Sequence, residues 1–366
     1  MTTPASAFSD PTAQRLEPIT TGAAPEVVGP HLAEVLHDPR WRDCQVALMS
    51  GGKSNLTYRV ASDAGEVVLR RPPLGHVLPT AHDMAREYTV QSALAGTGVP
   101  VPRTLYLAGP DSVLGAPFYL MERVVGHVCR NDLPPGYAAT PQDRGAIGDA
   151  LIATLARLHA IDPAAVGLAG FGRPEGFLER QLRRWSRQWE SSKSADLPAL
   201  DALRDELAGA LPAQRPPAIV HGDFRLDNTV LHPTRPGVIV AVLDWEMSTL
   251  GDPLADLGTT LAYWGQADDD EVLAAARIVP PVTATAAGFP ARRQVVERYA
   301  EITGFDMTGF AWYQAFAFFK LAVICQGIAL RAAGGAMLGS GFDDVAGRVE
   351  PLVQAGHHVL AGHADG

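Results

Sequence analysis

Cysteine is scarce in this 366-residue chain, which contains only Cys44, Cys129 and Cys325. Their number is odd and their spacing is wide, so they match neither a zinc-binding pattern nor a disulfide framework. Such cysteine usage is typical of a reducing compartment, and we therefore expect a cytoplasmic protein.

The chain also lacks a strong excess of charge of one sign and any signal-peptide pattern. Its formal net charge is −10, from 30 basic and 40 acidic residues, which argues against non-specific binding to nucleic acid. Residues 1–17 are rich in Ala, Ser, Thr and Pro, with neither a basic segment nor an apolar core. We predict a disordered arm there, and no nucleic-acid partner.

Long hydrophobic runs are rare, and the one run that imitates a membrane span covers residues 311–330. Lys320 lies near its middle, and a central lysine costs roughly 2.5–3.5 kcal/mol on membrane insertion. We therefore predict a buried helix of a soluble protein, and no membrane partner.

Apolar residues make up 47% of the chain, enough for a substantial core in one large or two ordinary domains. Short β-type runs and one main helix occupy the first third, and helical patterns dominate from about residue 143. We predict an α+β fold, with a small antiparallel β lobe at 18–121 and a larger, mainly α lobe with catalytic hairpins at 122–366. The predicted strands of the small lobe are 45–49, 55–61, 66–71 and 118–121, and its helix is 81–94.

Two carboxylates and one carboxamide follow one another at fixed spacing in the second half of the chain. Asp223 lies in the block HGDFRLDN; Asn228 follows it by five positions and Asp244 by twenty-one. Residues 238–243 are predicted to form a buried strand that pairs with 228–231 as a hairpin and places Asp244 at its end. Mg²⁺ prefers such oxygen ligands, usually one or two carboxylates together with substrate phosphates. The spacing therefore predicts metal-assisted phosphoryl transfer.

This block, the following Asp244-Trp245-Glu246 and the motif GDPLADL at 251–257 resemble the catalytic segment of the aminoglycoside-phosphotransferase and choline-kinase superfamily, relatives of the protein kinases. The resemblance runs from about residue 45 to the C-terminus. It is greatest to kinase domains related to those fused to acyl-CoA dehydrogenases. It implies a two-lobed protein-kinase-like fold, ATP and Mg²⁺ as cofactors, and transfer of the γ-phosphoryl group to a small-molecule hydroxyl.

The resemblance also implies roles for individual side chains. Asp223 would accept the proton of the substrate hydroxyl, and Asn228 and Asp244 would bind Mg²⁺. Arg225 would stabilise charge on the transferred phosphoryl group. His221 is expected to orient the loop by hydrogen bonds, with proton chemistry as the alternative.

The motif GDPLADL predicts the start of a helix. Asp252 is expected at the N-cap and Pro253 at the first helical position. By resemblance, Asp256 would bind the backbone of the catalytic loop and so support it.

A glycine-bearing loop at 50–55 lies between two predicted strands. Its G-K-S ending matches that of a Walker A loop, but Ala47 replaces the required first glycine and a β-type pattern follows, so we do not predict that motif. Glycines let backbone N–H groups approach phosphate oxygens closely, whereas an ordinary hairpin turn is the alternative. By resemblance, the residues that cover the phosphates are Gly51, Gly52, Ser54 and Asn55.

Arg70 occupies the strand position where protein kinases carry a phosphate-pairing lysine. An arginine fork can bridge phosphate and carboxylate, and the expected partner is Glu87. Arg71 is adjacent, but alternation along a strand places only one of the two on the cleft face. A surface arginine and a solvated glutamate are the alternative. The resemblance further implies that backbone groups of Glu122 and Val124 meet the adenine edge.

A helix predicted over residues 178–189 has two opposite faces. Four like charges on one face repel one another unless anions are nearby, which favours an anionic substrate such as the phosphates of a coenzyme A thioester. A solvated basic face is the alternative. The apolar stripe consists of Leu178, Leu182, Trp185 and Trp189, and the basic face of Arg180, Arg183, Arg184 and Arg187.

These patterns leave the identity of the acceptor open. The resemblance favours a hydroxyacyl-CoA, with a separate acyl-CoA dehydrogenase in the same pathway. The alternatives are an aminoglycoside, another antibiotic or an amino alcohol as acceptor, or a non-catalytic nucleotide-binding module. The acidic run at 268–271 would suit a cationic acceptor, but it is more simply an exposed loop or a helix N-terminus. A metal-dependent hydrolase is disfavoured, because the chain has no HxH or HExxH motif.

Overall fold

The computed structural model of the chain describes residues 16–17, 20–49, 55–74, 82–194, 196–278, 281–333 and 345–363. These residues form two compact units. The first unit contains the described residues up to Val128 together with Asn228–Arg235 and Ile239–Glu246. The second contains Cys129–Asp227, Pro236–Val238 and the described residues from Met247 onward. The segments Asn228–Arg235 and Ile239–Glu246 thus belong to the first unit, although the sequence analysis places them in the larger lobe at 122–366. The predicted lobe boundary at residue 121 stays a prediction.

The first unit is built on an antiparallel sheet. Its described strands, numbered in chain order, are β1 Leu16–Glu17, β2 Gln45–Met49, β3 Leu56–Ser62, β4 Gly65–Arg71, β5 Thr104–Ala108 and β6 Phe118–Glu122. They lie in the order β1-β2-β3-β4-β6-β5. Strands β2, β3, β4 and β6 confirm the predicted strands to within a residue at each end. The strand β1 includes the last two residues of the predicted arm, and the rest of that arm lies outside the described residues.

Two helices pack on opposite faces of this sheet. Helix α1 (Pro25–Val35) shares a hydrophobic cluster with Leu69 of β4, and helix α2 (Met84–Leu94) shares another with Val68. Because side chains alternate along a strand, Arg70 lies on the same face as Val68, towards α2.

A hairpin of the strands β8 (Thr229–Leu231) and β9 (Ile239–Val242) also belongs to the first unit and confirms the predicted hairpin. Its Leu231 exchanges two backbone hydrogen bonds of 2.8 Å with His127, which follows β6 in the chain. A Cβ atom at Gly126 would lie 2.2 Å from the Leu231 carbonyl oxygen, so this close approach requires glycine.

The second unit is mainly helical. Its described helices are α3 Pro141–His159, α4 Phe177–Ser192, α5 Pro198–Gly209, α6 Pro253–Ala262, α7 Glu271–Ala275, α8 Val282–Thr285, α9 Arg292–Thr303, α10 Phe310–Ala333 and α11 Val349–Leu360. Two short strands, β7 (Ala218–Val220) and β10 (Thr249–Gly251), pair antiparallel. The loop with Asp223 follows β7, and α6 follows β10, so the strand pair brings these two segments together.

Helix α10 is the apolar run that the sequence analysis assigns to a buried helix. Over Phe310–Ala332 it is long and apolar enough to cross a membrane, by length and composition only. However, it packs against α4, α6 and α11, and large side chains such as Phe319 are fully buried. The predicted buried helix is therefore confirmed. The three cysteines are also buried, and all three are free.

Candidate active site

The β8–β9 hairpin places Asn228 and Asp244 at the same end. Asn228 comes directly before β8, and Asp244 lies two positions after β9. The N–H of Leu243 donates to the carbonyl oxygen of Asn228 at 2.8 Å, so pairing continues up to the residue before Asp244. The carboxamide and the carboxylate therefore belong to one hydrogen-bonded end of the hairpin, as the sequence predicts. Both are hard oxygen donors of the kind that Mg²⁺ prefers.

Asp244 has an unusual backbone conformation. Its φ is 65°, in the left-handed region that few residues other than glycine adopt. The next residue, Trp245, is fully buried, and its indole N–H donates to the carbonyl oxygen of Val242 at 3.0 Å. The core of the first unit thus holds the turn around Asp244. Residues held in sparsely populated conformations are concentrated at functional sites.

Arg70 lies among three carboxylates of the first unit. Its Nε is 2.9 Å from Oε2 of Glu87, which confirms the predicted ion pair. One of its terminal nitrogens contacts the carboxylate of Asp244 and lies 3.8 Å from that of Glu246. With every group ionised, one cation and three anions (1 − 3) leave this cluster with a net charge of −2. A divalent cation on the Asp244 side would balance that charge, so the residues present fit Mg²⁺.

The pKa values in this cluster follow from burial and shared charge. The pKa of Glu87 is raised to about 7, chiefly by burial and also by Asp244 and Glu246, against the opposing effect of Arg70. Burial by itself lowers the pKa of Arg70, but the surrounding carboxylates outweigh it and raise the pKa. The two shifts are compatible because three anions share one guanidinium, and Glu87 receives only part of its charge.

Asn55 and Glu246 join the cluster through contacts that the sequence analysis misses. Asn55 is 2% exposed, and its Nδ2 donates to Glu87 at 2.9 Å and to Glu246 at 3.0 Å. Its Oδ1 lies 2.8 Å from Nδ1 of His82. Tyr119 donates to the other oxygen of Glu87 at 3.0 Å. Because these partners lie up to 191 positions away, no local pattern indicates them.

The other predicted nucleotide-binding residues are three of the glycine-bearing segment and two at and after the end of β6. Gly51, Gly52 and Ser54 lie outside the described residues. Glu122 is at the end of β6, and its N–H donates to the carbonyl oxygen of Arg103 at 2.9 Å. This bond leaves the carbonyl of Glu122 and the N–H of Val124 as the groups to test for adenine recognition.

In the second unit, the loop that carries Asp223 is held through its backbone. Asp256 of α6 accepts the N–H of His221 at 2.6 Å and that of Gly222 at 2.7 Å, as the resemblance implies. Nδ1 of the buried His221 accepts the N–H of Asp223 at 3.3 Å, which agrees with the predicted orienting role. Burial acts to raise the pKa of Asp256, but the adjacent His159 and the N–H donors lower it below its usual value.

Arg225 is fixed beside the predicted base. Its Nε lies 3.3 Å from Oδ2 of Asp223, and Nη1 lies 3.1 Å from Oδ2 of Asp227. The guanidinium is 4.4 Å from the centroid of the Tyr263 ring, within the range of a cation–π contact. Burial raises the pKa of Asp227, and Arg225 opposes that shift. Two carboxylates and an aromatic ring thus position this cation.

A cleft of about 40 Å³ in the second unit is bordered by Arg225. Ligand sites of proteins are typically concave and mostly apolar, with a few polar groups that fix orientation. The walls of this cleft include Leu151, Leu226, Tyr263, Trp264 and Val282, and its polar side chains include Arg130, Asp227 and Thr260.

Helix α4 confirms the two predicted faces, since its four stripe residues Leu178, Leu182, Trp185 and Trp189 are all buried. Arg180 is only half-buried and donates to the backbone carbonyls of Arg173 and Glu175. Arg180 therefore stabilises the segment that precedes α4. The sequence analysis, which assigns this arginine to the substrate face, does not predict this structural role.

The other three arginines of this face remain on the surface. Arg183 pairs with Glu179 at 2.6 Å, an exposed i, i+4 contact. The guanidinium of Arg184 lies 5.4 Å from the centroid of Trp185, and Arg187 is exposed. These side chains are accessible to an anionic ligand.

The acidic run at 268–271 has structural partners. Asp269 binds Arg277 at 2.7 Å and Arg292 at 2.6 Å, and its side chain is fully buried. Asp270 caps α7 by accepting the N–H of Leu273 at 2.9 Å. This run therefore supports helix packing, which weakens the case for a cationic acceptor.

Comparison with known sequences identifies the family. The sequence model described as the phosphotransferase enzyme family matches residues 45–288, well over half of the chain. The chain belongs to this family. Acyl-CoA dehydrogenase family member 10 of Mus musculus is 37% identical over 295 residues, which cover 78% of this chain and 26% of that protein. Family member 11 of Gallus gallus is 36% identical over 310 residues, which cover 84% of this chain and 39% of that protein. The chain thus spans between a quarter and two-fifths of the length of these curated relatives.

Solved structures agree with the family. A protein of Ralstonia eutropha JMP134, named as an aminoglycoside phosphotransferase, superposes with a TM-score of 0.77 at 32% identity, covering 93% of this chain and 98% of that one. A thermostable mutant of the aminoglycoside phosphotransferase APH(4)-Ia, in ternary complex with ADP and hygromycin B, gives a TM-score of 0.57 at 16% identity, covering 90% and 98%. This second likeness shows the fold alone. The α+β, two-lobed protein-kinase-like fold is therefore confirmed.

Proposed function

We propose that the protein is an ATP- and Mg²⁺-dependent kinase that transfers the γ-phosphoryl group to the hydroxyl of a small molecule. The observation that carries this proposal is the cluster of Arg70, Glu87 and Asp244 at the end of the β8–β9 hairpin. It combines one fixed cation for phosphate oxygens with a carboxylate for a metal ion, the two groups that phosphoryl transfer needs most. A non-catalytic module is less consistent with it, because a decayed site has no need to retain Asp223 and both metal-ligating side chains.

Each predicted residue has a role in this proposal. Asp223 accepts the proton of the attacking hydroxyl, and Arg225 stabilises the charge on the transferred group. Asn228 and Asp244 would hold Mg²⁺, which would neutralise charge on the phosphates. Glu87 orients Arg70 towards the phosphates. Adenine is recognised by backbone groups of Glu122 and Val124, and the phosphates are covered by Gly51, Gly52, Ser54 and Asn55.

We expect Asp244→Ala to lower the affinity for Mg·nucleotide by at least about 10-fold. Substituting even a residue that only contacts a metal ligand typically lowers metal affinity or activity about 10–100-fold, and Asp244 is proposed as a ligand itself. Affinity for the nucleotide without Mg²⁺ should change little. Calorimetric titration with a non-hydrolysable ATP analogue, with and without Mg²⁺, separates the two effects.

Asp111→Ala, an exposed position of the same unit, is the matched control for this titration. If Asp244→Ala and Asp111→Ala bound Mg·nucleotide equally well, Asp244 would not be a metal ligand.

For the acceptor, we propose a hydroxyacyl-CoA, and a separate acyl-CoA dehydrogenase as the pathway partner, both in the cytoplasm. Four observations support this class. The cleft beside Arg225 has mostly apolar walls that suit an acyl chain. Three accessible arginines on α4 suit the phosphates of coenzyme A, and the acidic run is occupied by helix capping and ion pairs. Relatives carry acyl-CoA dehydrogenase in their names. An aminoglycoside is the competing acceptor, since a structural relative is named for that class.

The decisive experiment is an ATP-consumption screen over hydroxyacyl-CoAs, aminoglycosides, choline-like alcohols and sugars. We expect turnover with hydroxyacyl-CoAs only. The charge reversal Arg183→Glu with Arg184→Glu should raise KM for a coenzyme A thioester about 10-fold at low salt, because it turns two attractive charges into repulsive ones.

The control is Arg293→Glu with Arg298→Glu on α9, where both side chains are more than half exposed. Equal KM values in the two double variants would remove the coenzyme A assignment of α4. Turnover with aminoglycosides alone would establish the competing acceptor.

A further inference from the structure

Lys320 is a charged residue in the middle of the apolar helix α10. Its Nζ donates to the backbone carbonyl oxygen of Gly222 at 2.8 Å, across 98 positions of sequence. Among the residues that the structure describes, it forms no ion pair within 4.0 Å. Burial lowers the pKa of Lys320, with Asp223 and Asp256 opposing that shift. Lys320 is half-buried, and an ammonium that is partly withdrawn from water without a carboxylate partner is costly, so packing alone does not explain why this side chain is charged.

The contact with Gly222 completes a double restraint on one residue. The N–H of Gly222 donates to Asp256 of α6 at 2.7 Å, and its carbonyl accepts from Lys320 of α10. A buried anion and a half-buried cation thus hold both polar backbone groups of the residue directly before Asp223.

The backbone at this point has little freedom to adjust. Gly222 has a φ of 86°, and a Cβ atom there would lie 2.7 Å from Met247. The loop therefore passes through a conformation that only glycine adopts readily, close against a neighbouring segment. Glycine adopts such a φ without strain, so the contacts and bonds around Gly222 select this conformation, and Lys320 supplies one of those bonds.

Trp185 of α4 limits where the ammonium of Lys320 can go. Nζ lies 5.8 Å from the centroid of the Trp185 ring, within the range of a cation–π contact. The aromatic ring and the Gly222 carbonyl together favour the position in which the ammonium donates to the loop.

We propose that Lys320 is a positioning residue for phosphoryl transfer, which fixes the carbonyl of Gly222 and thereby the direction of the Asp223 carboxylate. This role rests on the proposed function, in which Asp223 is the base. Catalysis depends on placing reacting groups accurately, and a displacement of about 1 Å can cost a factor of about 10² in rate.

The test compares Lys320→Met, which keeps the length and removes the donor, with Lys320→Arg, which keeps a cationic donor. Lys193→Met is the matched control, because Lys193 also lies over a tryptophan ring, 5.6 Å from that of Trp189, but bonds to Asp201 instead of the loop. We expect Lys320→Met to lower kcat roughly 10–100-fold while the affinity for Mg·nucleotide stays within about twofold. Lys320→Arg should recover part of the loss, and Lys193→Met should keep the original kcat.

Amide hydrogen exchange of the segment 221–224 gives a second measurement that needs no acceptor. In Lys320→Met we expect exchange of the Asp223 amide to become at least about tenfold faster, while the melting temperature is equal or higher, since a half-buried charge without a carboxylate partner is gone. If exchange in this segment matched that of the original protein, the positioning role would be wrong, whatever happened to kcat. Unchanged kcat with faster exchange would equally overturn it.

Failure of the proposed function would be recognised separately. If the original protein phosphorylates no acceptor, the proposed function is wrong, while the exchange result still shows whether Lys320 restrains the loop. Should Lys320→Met not fold, Lys320→Gln replaces it, because the shorter, neutral side chain no longer places an ammonium at the Gly222 carbonyl. Exchange of the Asp223 amide at least about threefold faster than in Lys320→Arg would support the role, and equal exchange in the two variants would overturn it.

Discussion

Asp223→Asn is expected to lower the turnover number for phosphoryl transfer by about 10²–10⁴-fold, the usual contribution of a general base. An asparagine cannot accept the proton of the attacking hydroxyl, although it has nearly the same shape as aspartate. The loop should keep its conformation, because it is held through the backbone of His221 and Gly222 by Asp256. Affinity for Mg·nucleotide should therefore remain within a few-fold of the original value.

The control for this substitution is Asp196→Asn, which makes the same chemical change at a side chain that is 90% exposed. Both variants are assayed with the acceptor that the screen identifies and titrated with nucleotide. Near-original turnover of Asp223→Asn would mean that the base has been assigned wrongly. Loss of nucleotide binding together with turnover would show that the substitution disturbs more than proton transfer.

The parts of this site that are contiguous in sequence were accessible to prediction. The hairpin around Asn228 and Asp244, and the helix cap at Asp252 and Pro253, depend on turn and capping residues within a few positions. Strand alternation likewise separates Arg70 from Arg71, whose guanidinium donates to the carbonyls of Gly22 and Pro72. Local rules of backbone geometry decide such features, so a single sequence contains the information.

Other elements conflict with local rules or have weak signals. Helix α1 contains Pro30 in its interior, and proline there normally ends or kinks a helix, so its pattern is hidden. Strand β5 has only one fully buried residue, Ala108, which leaves no clear alternation of apolar and polar positions. The meeting of Asn55 and Glu246 at Glu87 is a tertiary contact, and no single segment records it. The same holds for Lys320, whose position in an apolar run indicates a buried charge but not its partner.

Arg70→Met is expected to lower the free energy of unfolding by about 3–5 kcal/mol, the cost of breaking a buried ion pair by removing one partner. Three carboxylates would then share a largely buried site without a cation. Chemical denaturation gives this value directly, and nucleotide titration should show loss of binding in the same variant. Arg70→Lys should recover part of the stability, since it restores the charge but not the fork that reaches two carboxylates.

A comparison with Arg71 shows whether the loss of stability in Arg70→Met comes from lost charge or from lost packing. Arg71→Met removes an equally buried arginine whose partners are backbone carbonyls, and it should cost only about 1–3 kcal/mol. The double change Arg70→Met with Glu87→Gln should be more stable than Arg70→Met alone, because removing both partners leaves one less uncompensated charge. If it were equally unstable, lost packing and not lost charge would explain the effect.

The pH dependence of the Arg70→Met deficit follows from Glu87. Folding raises the pKa of this glutamate, so the folded protein binds its proton more tightly than the unfolded chain does. The free energy of unfolding therefore falls as the pH rises from the pKa of the unfolded chain, about 4.3, to the pKa of the folded protein. In the original protein that cost stops growing above about pH 7, where Glu87 ionises beside Arg70. Without the guanidinium the pKa of Glu87 rises further, so the cost continues to grow at higher pH. The difference in stability between the two proteins should therefore widen between pH 6 and pH 9, and a difference that narrowed over this range would contradict the shared-cation cluster.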